Sequence, residues 1–140
     1  MAGGSPGTGL VFGISLRDSK RTGCWMNVKR GDIVLANLEP VMGSEQGKIR
    51  PCLVVQNDVG NKFSSTTIIV PLTSTIPDKN YPTTVIVGPQ ESGLKEKSAI
   101  LSNQIRTISR GDRIIKILSS LKPQTMVQVN NALKASLALE

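Results

Sequence analysis

The segment RGDIVLANLEPVMGSEQGKIRPCLVVQND, residues 30 to 58, decides the fold class of this chain. It contains two apolar runs, DIVLANL (32 to 38) and PCLVVQN (51 to 57), separated by a polar loop that begins and ends with glycine. β-Branched residues favour strands, and a proline is tolerated at the first position of a strand. The segment therefore predicts two strands joined by a polar loop.

Three more runs downstream have the same character. TTIIVPLTST (66 to 75) predicts a third strand, in which Pro71 marks a bulge or a sheet edge. TTVIV (83 to 87) and SAILSNQIRTI (98 to 108) predict a fourth and a fifth strand. Five short strands at this spacing indicate a small antiparallel barrel or sandwich.

The C-terminal segment follows a helical period. In PQTMVQVNNALKASLAL (123 to 139) the apolar side chains recur at steps of three and four, which predicts one stripe packed on the barrel: Met126, Val129, Leu133 and Leu137. Pro123 suits the first helical turn. The preceding RGDRIIKILSS (110 to 120) has room for a short helical turn and a last short strand. The predicted fold class is mainly β with a C-terminal α-helix.

Length and composition limit the classes of protein that this chain can be. Its 140 residues fit one domain, which we place at residues 27–140, and the glycine-rich residues 1–26 resemble a leader or flexible extension. The net charge of +7 and the pI near 9.8 favour an acidic partner such as nucleic acid, an anionic membrane or an acidic protein segment, although a basic protein without such a partner fits equally well.

Several kinds of chemistry lack their usual residues. Histidine is absent, so the commonest general acid or base near neutral pH is missing. Cys24 and Cys52 are far apart and form neither a zinc-binding pattern nor a disulfide framework. No apolar run is long enough for a membrane span, and the N-terminus does not resemble a signal peptide. These features favour a cytoplasmic protein without a metal or membrane partner.

Arg50 is the side chain whose position the local sequence constrains most. A residue before proline is held in extended conformation, so Pro51 sets the direction in which Arg50 leaves the backbone. The guanidinium offers five donors in a planar fork that matches phosphate oxygens. Arg50 therefore suits phosphodiester binding, and the alternative is a surface arginine paired with Glu45 or Asp58.

The opening segment resembles the MazF/PemK toxin family of ribosome-independent endoribonucleases. The compound pattern GSEQGKIRP, followed in the same order by IIVPLTS, GL, QIRTIS and NNALKASLAL, extends the resemblance over residues 28–139. The resemblance implies an SH3-like barrel, a homodimer, and cleavage of single-stranded RNA without metal or cofactor. It also implies an antitoxin whose acidic, flexible tail covers the RNA-binding cleft.

Transferred position by position, the family's catalytic arginine falls on Arg50, its threonine on Thr73 and its loop acid on Glu45. The nucleophile would be the 2′-hydroxyl of the RNA itself, which DNA lacks. Arg50 would stabilise the developing negative charge, Thr73 would orient the phosphate or the hydroxyl, and Glu45 would accept a proton. The products would carry a 2′,3′-cyclic phosphate and a 5′-hydroxyl.

Hydrogen-bonding side chains near these positions are candidates for base recognition, because aromatic residues are only 3% of the chain and cannot dominate binding by stacking. The predicted RNA-binding residues are Ser44, Gln46, Lys48, Ser74, Thr75, Gln104 and Arg106. Gln104 and Arg106 are explained equally well as solvent-facing strand residues. Asn103 stands where family members often carry an acid.

Two other functions compete with RNA cleavage. A toxin of the same architecture can act by binding a protein, as the CcdB gyrase poisons do without this arginine and threonine. An inactive relative would retain only the antitoxin interface. The presence of Arg50 and Thr73 in their motifs favours the enzyme.

Overall fold

A computed structural model of the chain describes residues 26–39 and 48–139. The described elements, in chain order, are β1 (Asp32–Asn37), β2 (Ile49–Val54), α1 (Asp58–Phe63), β3 (Thr66–Thr73), β4 (Thr84–Val87), α2 (Pro89–Ser92), β5 (Ser98–Leu101), β6 (Arg106–Ser109), α3 (Arg110–Arg113), β7 (Ile114–Ser120) and α4 (Pro123–Leu137). Most of the predicted leader, residues 1–25, lies outside these ranges. Its last residue, Met26, packs against buried side chains.

The strands form one antiparallel sheet in the order β4-β5-β3-β2-β1-β7. Strand β3 is its centre, with β2 along one side and two successive partners along the other. The first half of β3, Thr66 to Ile69, pairs with β6, and its last residues, Leu72 and Thr73, pair with β5. Strand β3 therefore exchanges one partner for another along this side.

Apolar side chains are buried on both faces of the central strands. On one face Ile33, Leu53 and Val70 pack with the buried side of α4. On the other face Val34 and Cys52 join a second cluster with residues of β6 and β7. A strand that is covered on both faces has a continuous apolar sequence rather than an alternating one. This explains the unbroken apolar runs in the predicted strands.

The barrel is completed by a helix rather than by strand pairing. Helix α2 follows β4 at one end of the sheet and reaches β7 at the other, where the Ser119 hydroxyl donates to the carbonyl oxygens of Ser92 at 2.6 Å and Glu91 at 3.0 Å. The Glu91 carboxylate also accepts the backbone N–H of Lys122 at 2.8 Å. The predicted class, a mainly β, barrel-like fold with a C-terminal helix, is confirmed.

The predicted fifth strand, 98 to 108, is in fact two strands. Residues 102–105 form a turn, in which the N–H of Ser102 donates to the Thr83 carbonyl at 3.0 Å and that of Gln104 to the Leu101 carbonyl at 3.1 Å. Three consecutive polar residues, Ser102, Asn103 and Gln104, interrupt the alternation at this point, and they are the signal of the break in the sequence.

Pro71 marks neither a sheet edge nor a bulge. It lies in the central strand, opposite Cys52 of β2. On its other side it falls between Ile69, the last residue paired with β6, and Leu72, the first paired with β5. The missing N–H of proline is tolerated at this point because no ladder bond is required from it there.

The predicted bounds of α4 agree with the structure to within two residues, but the buried stripe is slightly rotated from the predicted one. Thr125, Val129 and Ala132 are buried, Met126 and Leu133 are partly buried against the same core, and Leu137 is 54% exposed. The predicted helical turn and final strand before α4 correspond to α3 and β7. The short helices α1 and α2 were not predicted. The Asn57 side chain caps α1 by accepting the N–H of Gly60 at 2.8 Å.

Candidate functional site

An open cleft of about 390 Å³ lies where β2, β3 and the segment before β5 meet. Two of its walls are strand ends, and the third is the loop that leads into β5. The lining residues are Arg50 and Pro51 from β2; Leu72, Thr73, Ser74 and Thr75 from the end of β3; and Leu94, Lys95, Glu96 and Ser98 from the loop and the start of β5.

Arg50 and Thr73 lie on the same face of neighbouring strands. The antiparallel ladder pairs Cys52 with Pro71, and continuing that register by two residues places Arg50 opposite Thr73. Since side chains alternate along a strand, Arg50 shares a face with Cys52, and Thr73 shares that face through Pro71. The Arg50 Nη1 donates to the Leu72 carbonyl oxygen at 3.3 Å, which holds the half-buried guanidinium at the mouth of the cleft.

The Thr73 hydroxyl has a defined orientation. Its oxygen accepts the backbone N–H of Thr75 at 3.2 Å, in a turn that ends β3. A hydroxyl that accepts one hydrogen bond still has its own proton to donate. Thr73 can therefore donate to an anionic oxygen placed in the cleft beside Arg50.

The predicted RNA-binding residues divide into three groups. Ser74 and Thr75 are exposed and line the cleft. Lys48, Gln104 and Arg106 are outside the cleft lining. Lys48 and Arg106 hold the backbone of Leu38, through the Lys48 carbonyl and the Arg106 guanidinium respectively. Contact of these residues with RNA remains a prediction.

The remaining predicted residues lie in the loop between β1 and β2. The candidate proton acceptor Glu45 and the candidate base readers Ser44 and Gln46 lie outside the described residues. The alternative interpretation pairs Arg50 with Asp58, but Asp58 forms its hydrogen bonds with other residues. Asp58 accepts the backbone N–H of Arg30 at 2.7 Å, and this bond, together with one from Asn61, lowers the pKa of its carboxyl.

One wall of the cleft was not predicted. Lys95 and Glu96 precede β5, and β5 pairs with the end of β3 so that Ala99 lies opposite Thr73. The signal in the sequence is the charged run KEK, residues 95 to 97, immediately before an apolar strand. A charged run before a strand is usually a solvated loop, and only the pairing of β5 with β3 shows that this one borders the cleft.

Cys52 lies directly behind the cleft, flanked by Arg50 and Arg106. Burial raises the pKa of the Cys52 thiol to about 12, while the two arginines partly oppose that rise. The thiol is buried and contacts the Arg50 carbonyl oxygen at 3.6 Å. It is therefore a neutral core group and supports the strand that carries Arg50.

We expect the Cys52 thiol to be unreactive in the folded protein. In a Cys24→Ser variant, a thiol reagent at pH 8 should label no cysteine under native conditions and one in denaturant. Between the ordinary thiol pKa of 9.0 and the folded value of about 12, only the unfolded chain ionises, so stability should fall as the pH rises through this window. Rapid native labelling at pH 8 would contradict the burial of this thiol.

The described residues offer little support for a metal site or a membrane span. No group of three or more His, Cys, Asp and Glu side chains there is suited to hold a metal ion. None of the helices in residues 26–39 and 48–139 has the length and apolar character needed to cross a membrane. Metal independence stays a prediction, tested below.

Comparison with known proteins identifies the class that this fold and cleft define. Residues 29–137 match the family described as PemK-like, MazF-like toxin of type II toxin-antitoxin system. The chain belongs to this family, and the predicted family is confirmed.

Individual relatives agree with that assignment. The chain is 46% identical over 114 residues to "Endoribonuclease EndoA" of Bacillus subtilis strain 168, covering 81% of this chain and 97% of the relative. It is 44% identical over 112 residues to "Endoribonuclease MazF" of Staphylococcus saprophyticus, covering 80% and 92%. A solved structure titled "Endoribonuclease in complex with its cognate antitoxin from Mycobacterial species" has a TM-score of 0.67 at 26% identity, covering 81% of this chain and 97% of the other.

Proposed function

We propose that this toxin is an endoribonuclease that cleaves single-stranded RNA at short sequence motifs, without a metal or cofactor, through the 2′-hydroxyl of the RNA. The observation that carries the proposal is the placement of Arg50 and Thr73 in one cleft on adjacent strands. Relatives that are 43 to 46% identical over most of their length are named endoribonucleases. These names favour an RNA-cleaving enzyme over a toxin that acts by binding gyrase.

The reaction needs only groups that this chain, its substrate and water supply. The 2′-hydroxyl loses its proton and attacks the adjacent phosphorus, the bond from phosphorus to the 5′-oxygen breaks, and that oxygen takes up a proton from water. The products are a 2′,3′-cyclic phosphate and a 5′-hydroxyl. Arg50 donates to the phosphate oxygens, on which charge builds up, and Thr73 orients the phosphate or the attacking hydroxyl. Glu45 accepts the proton.

Base recognition is assigned to the rims of the cleft. Ser74 and Thr75 present small hydrogen-bonding groups within it, next to Thr73. The predicted readers Ser44, Gln46, Lys48, Gln104 and Arg106 complete this set. Unstacked bases of single-stranded RNA offer their edges to such side chains.

The partners and setting follow from the same family. We propose that an antitoxin with an acidic, flexible segment covers the cleft, and the net charge of +7 on the chain favours such a partner. A homodimer in the cytoplasm is the proposed form, with residues 27–140 as the toxin domain and residues 1–26 as a leader. An inactive relative would bind the same antitoxin but would leave RNA intact.

The mechanism is tested with a chemically altered substrate. An RNA oligonucleotide that contains the cleavage motif should be cut, and the same oligonucleotide with a single deoxyribose 5′ of the scissile phosphate should resist cutting. The reason is that the deoxyribose lacks the attacking hydroxyl. Excess chelator should leave the rate on the all-ribose substrate unchanged.

The control is a deoxyribose two nucleotides away from the scissile phosphate, which should leave cleavage intact. The motif itself comes from mapping fragment ends after incubation of mixed RNA with purified protein. Cleavage of the scissile-site deoxy substrate would rule out attack by the 2′-hydroxyl, and loss of activity in chelator would rule out metal independence.

A further inference from the structure

The loop that forms the third wall of the cleft is anchored at both ends. At its start, the N–H of Leu94 donates to the Ser92 side chain at 3.1 Å, and Leu94 packs against the main core. At its end, the Ser98 hydroxyl donates to the Glu96 carbonyl at 3.1 Å, and Ser98 pairs with Val87 in the sheet. The loop backbone is therefore held in place before any substrate arrives.

Gly93 fixes the direction in which this loop leaves α2. Its φ of 75° lies in the left-handed region, and a Cβ there would come within 3.1 Å of the Ser119 side chain. Ser119 in turn binds the carbonyl oxygens at the end of α2. The helix, the glycine and β7 together fix the start of the loop whose Lys95 and Glu96 line the cleft.

Lys95 and Glu96 bring opposite charges to the cleft. Both are exposed and line it together with Arg50 and Thr73. Glu96 is the only acid among the described residues that line it. A carboxylate beside a phosphate-binding arginine disfavours the RNA backbone, so its presence calls for a role other than charge attraction.

We propose that Glu96 selects the base next to the scissile phosphate by accepting a hydrogen bond from that base, and that Lys95 binds a neighbouring phosphate. The proposal rests on the proposed RNA cleavage and specifies how that cleft chooses its substrate. Lys95 has a compact, flexible charge, which suits a phosphate and carries no base information.

The chemistry of the carboxylate defines the preference. An ionised carboxylate only accepts hydrogen bonds, so it favours bases that offer an amino group. Cytosine and adenine each present an exocyclic amine, and guanine presents an amine and a ring N–H. Uracil has one ring N–H between two carbonyl oxygens, which face the carboxylate unfavourably. Glu96 is therefore expected to exclude uracil at one position of the motif.

The test compares variants on a pool of RNA with random sequence, reading the ends of all fragments. Wild-type protein should show one position beside the cut from which uracil is depleted. Glu96→Gln presents both a donor and an acceptor, so it should raise the uracil frequency there about 10-fold, in line with the value of one well-placed base contact.

The role of Lys95 is tested separately, by measuring RNA binding at different salt concentrations. On an uncleavable deoxy-substituted oligonucleotide, Lys95→Ala should weaken binding for all sequences alike. It should also reduce the slope of log affinity against log salt by about 0.7, the loss of one phosphate contact on a single strand. The matched controls are Lys97→Ala and Asp78→Asn, exposed residues outside the cleft lining, which should leave both the motif and the salt slope unchanged.

Each of the following results would overturn the role assigned to Glu96, the role assigned to Lys95 or the proposed function. An unchanged motif in Glu96→Gln, or a wild-type motif with no position that excludes uracil, overturns base selection by Glu96. Complete loss of cleavage in a Glu96→Gln protein that melts like wild type also overturns it, because the carboxylate would then act in the reaction. An unchanged salt slope in Lys95→Ala overturns the phosphate contact. Wild-type protein that leaves the whole pool uncut would instead refute the proposed function.

Discussion

Replacing Arg50 with alanine should lower the rate of RNA cleavage by about 10²- to 10³-fold, the effect of removing one donor aimed at developing negative charge. The guanidinium is held beside Thr73 by its bond to the Leu72 carbonyl, so its donors are oriented before the phosphate arrives. The measurement is single-turnover cleavage of the motif oligonucleotide, with enzyme in excess.

Two further variants show whether the geometry or the charge of the Arg50 side chain accounts for its effect on the cleavage rate. Arg50→Lys keeps the positive charge but loses the planar fork, so it should recover only part of the lost rate. Lys79→Ala removes an exposed cation outside the cleft lining and should cleave like wild type. Arg50→Ala should keep its melting temperature and its oligomeric state, and equal cleavage by this variant would refute the assigned role.

Replacing Leu53 with alanine should cost about 2–5 kcal/mol of unfolding free energy, the usual range for a buried leucine. Leu53 is fully buried in β2, in the core that joins the central strands to α4. Small domains have a total stability of about 5–15 kcal/mol, so this one change removes a large share. Denaturant unfolding followed by circular dichroism measures the difference.

Leu139 provides the matched control, because it is 60% exposed beyond the end of α4. Leu139→Ala should change the unfolding free energy by less than about 0.5 kcal/mol. Equal losses for the two variants would mean that the core described around Leu53 does not dominate the stability of this fold.

The strands were predictable from sequence where burial on both faces produced unbroken apolar runs. The ends of β1, β2, β3 and β4 lie within three residues of their predicted positions. The turn at residues 102–105 was not predicted, although Ser102, Asn103 and Gln104 interrupt the alternation there, because the exchange of partners along β3 that requires the break is a long-range feature. The short helix α1 depends on a cap by Asn57 inside a segment that reads as a polar loop.

The candidate site was predictable only in part, for a related reason. Arg50 and Thr73 come from motifs, and their closeness follows from the pairing of consecutive strands β2 and β3. Lys95 and Glu96 come from a loop 20 or more residues further along, which reaches the cleft only because β5 pairs with β3. Charge in a loop does not indicate which surface that loop borders.

The attachment of α2 to β7 has a consequence for how such toxins diversify. The wall that holds Lys95 and Glu96 is fastened to the far edge of the sheet, through Ser119, whereas the arginine and threonine belong to its centre. If Glu96 selects a base as proposed, substitutions at this position can alter which RNA sequences are cut without disturbing Arg50 and Thr73. A toxin built in this way can acquire new targets through a change to a single codon.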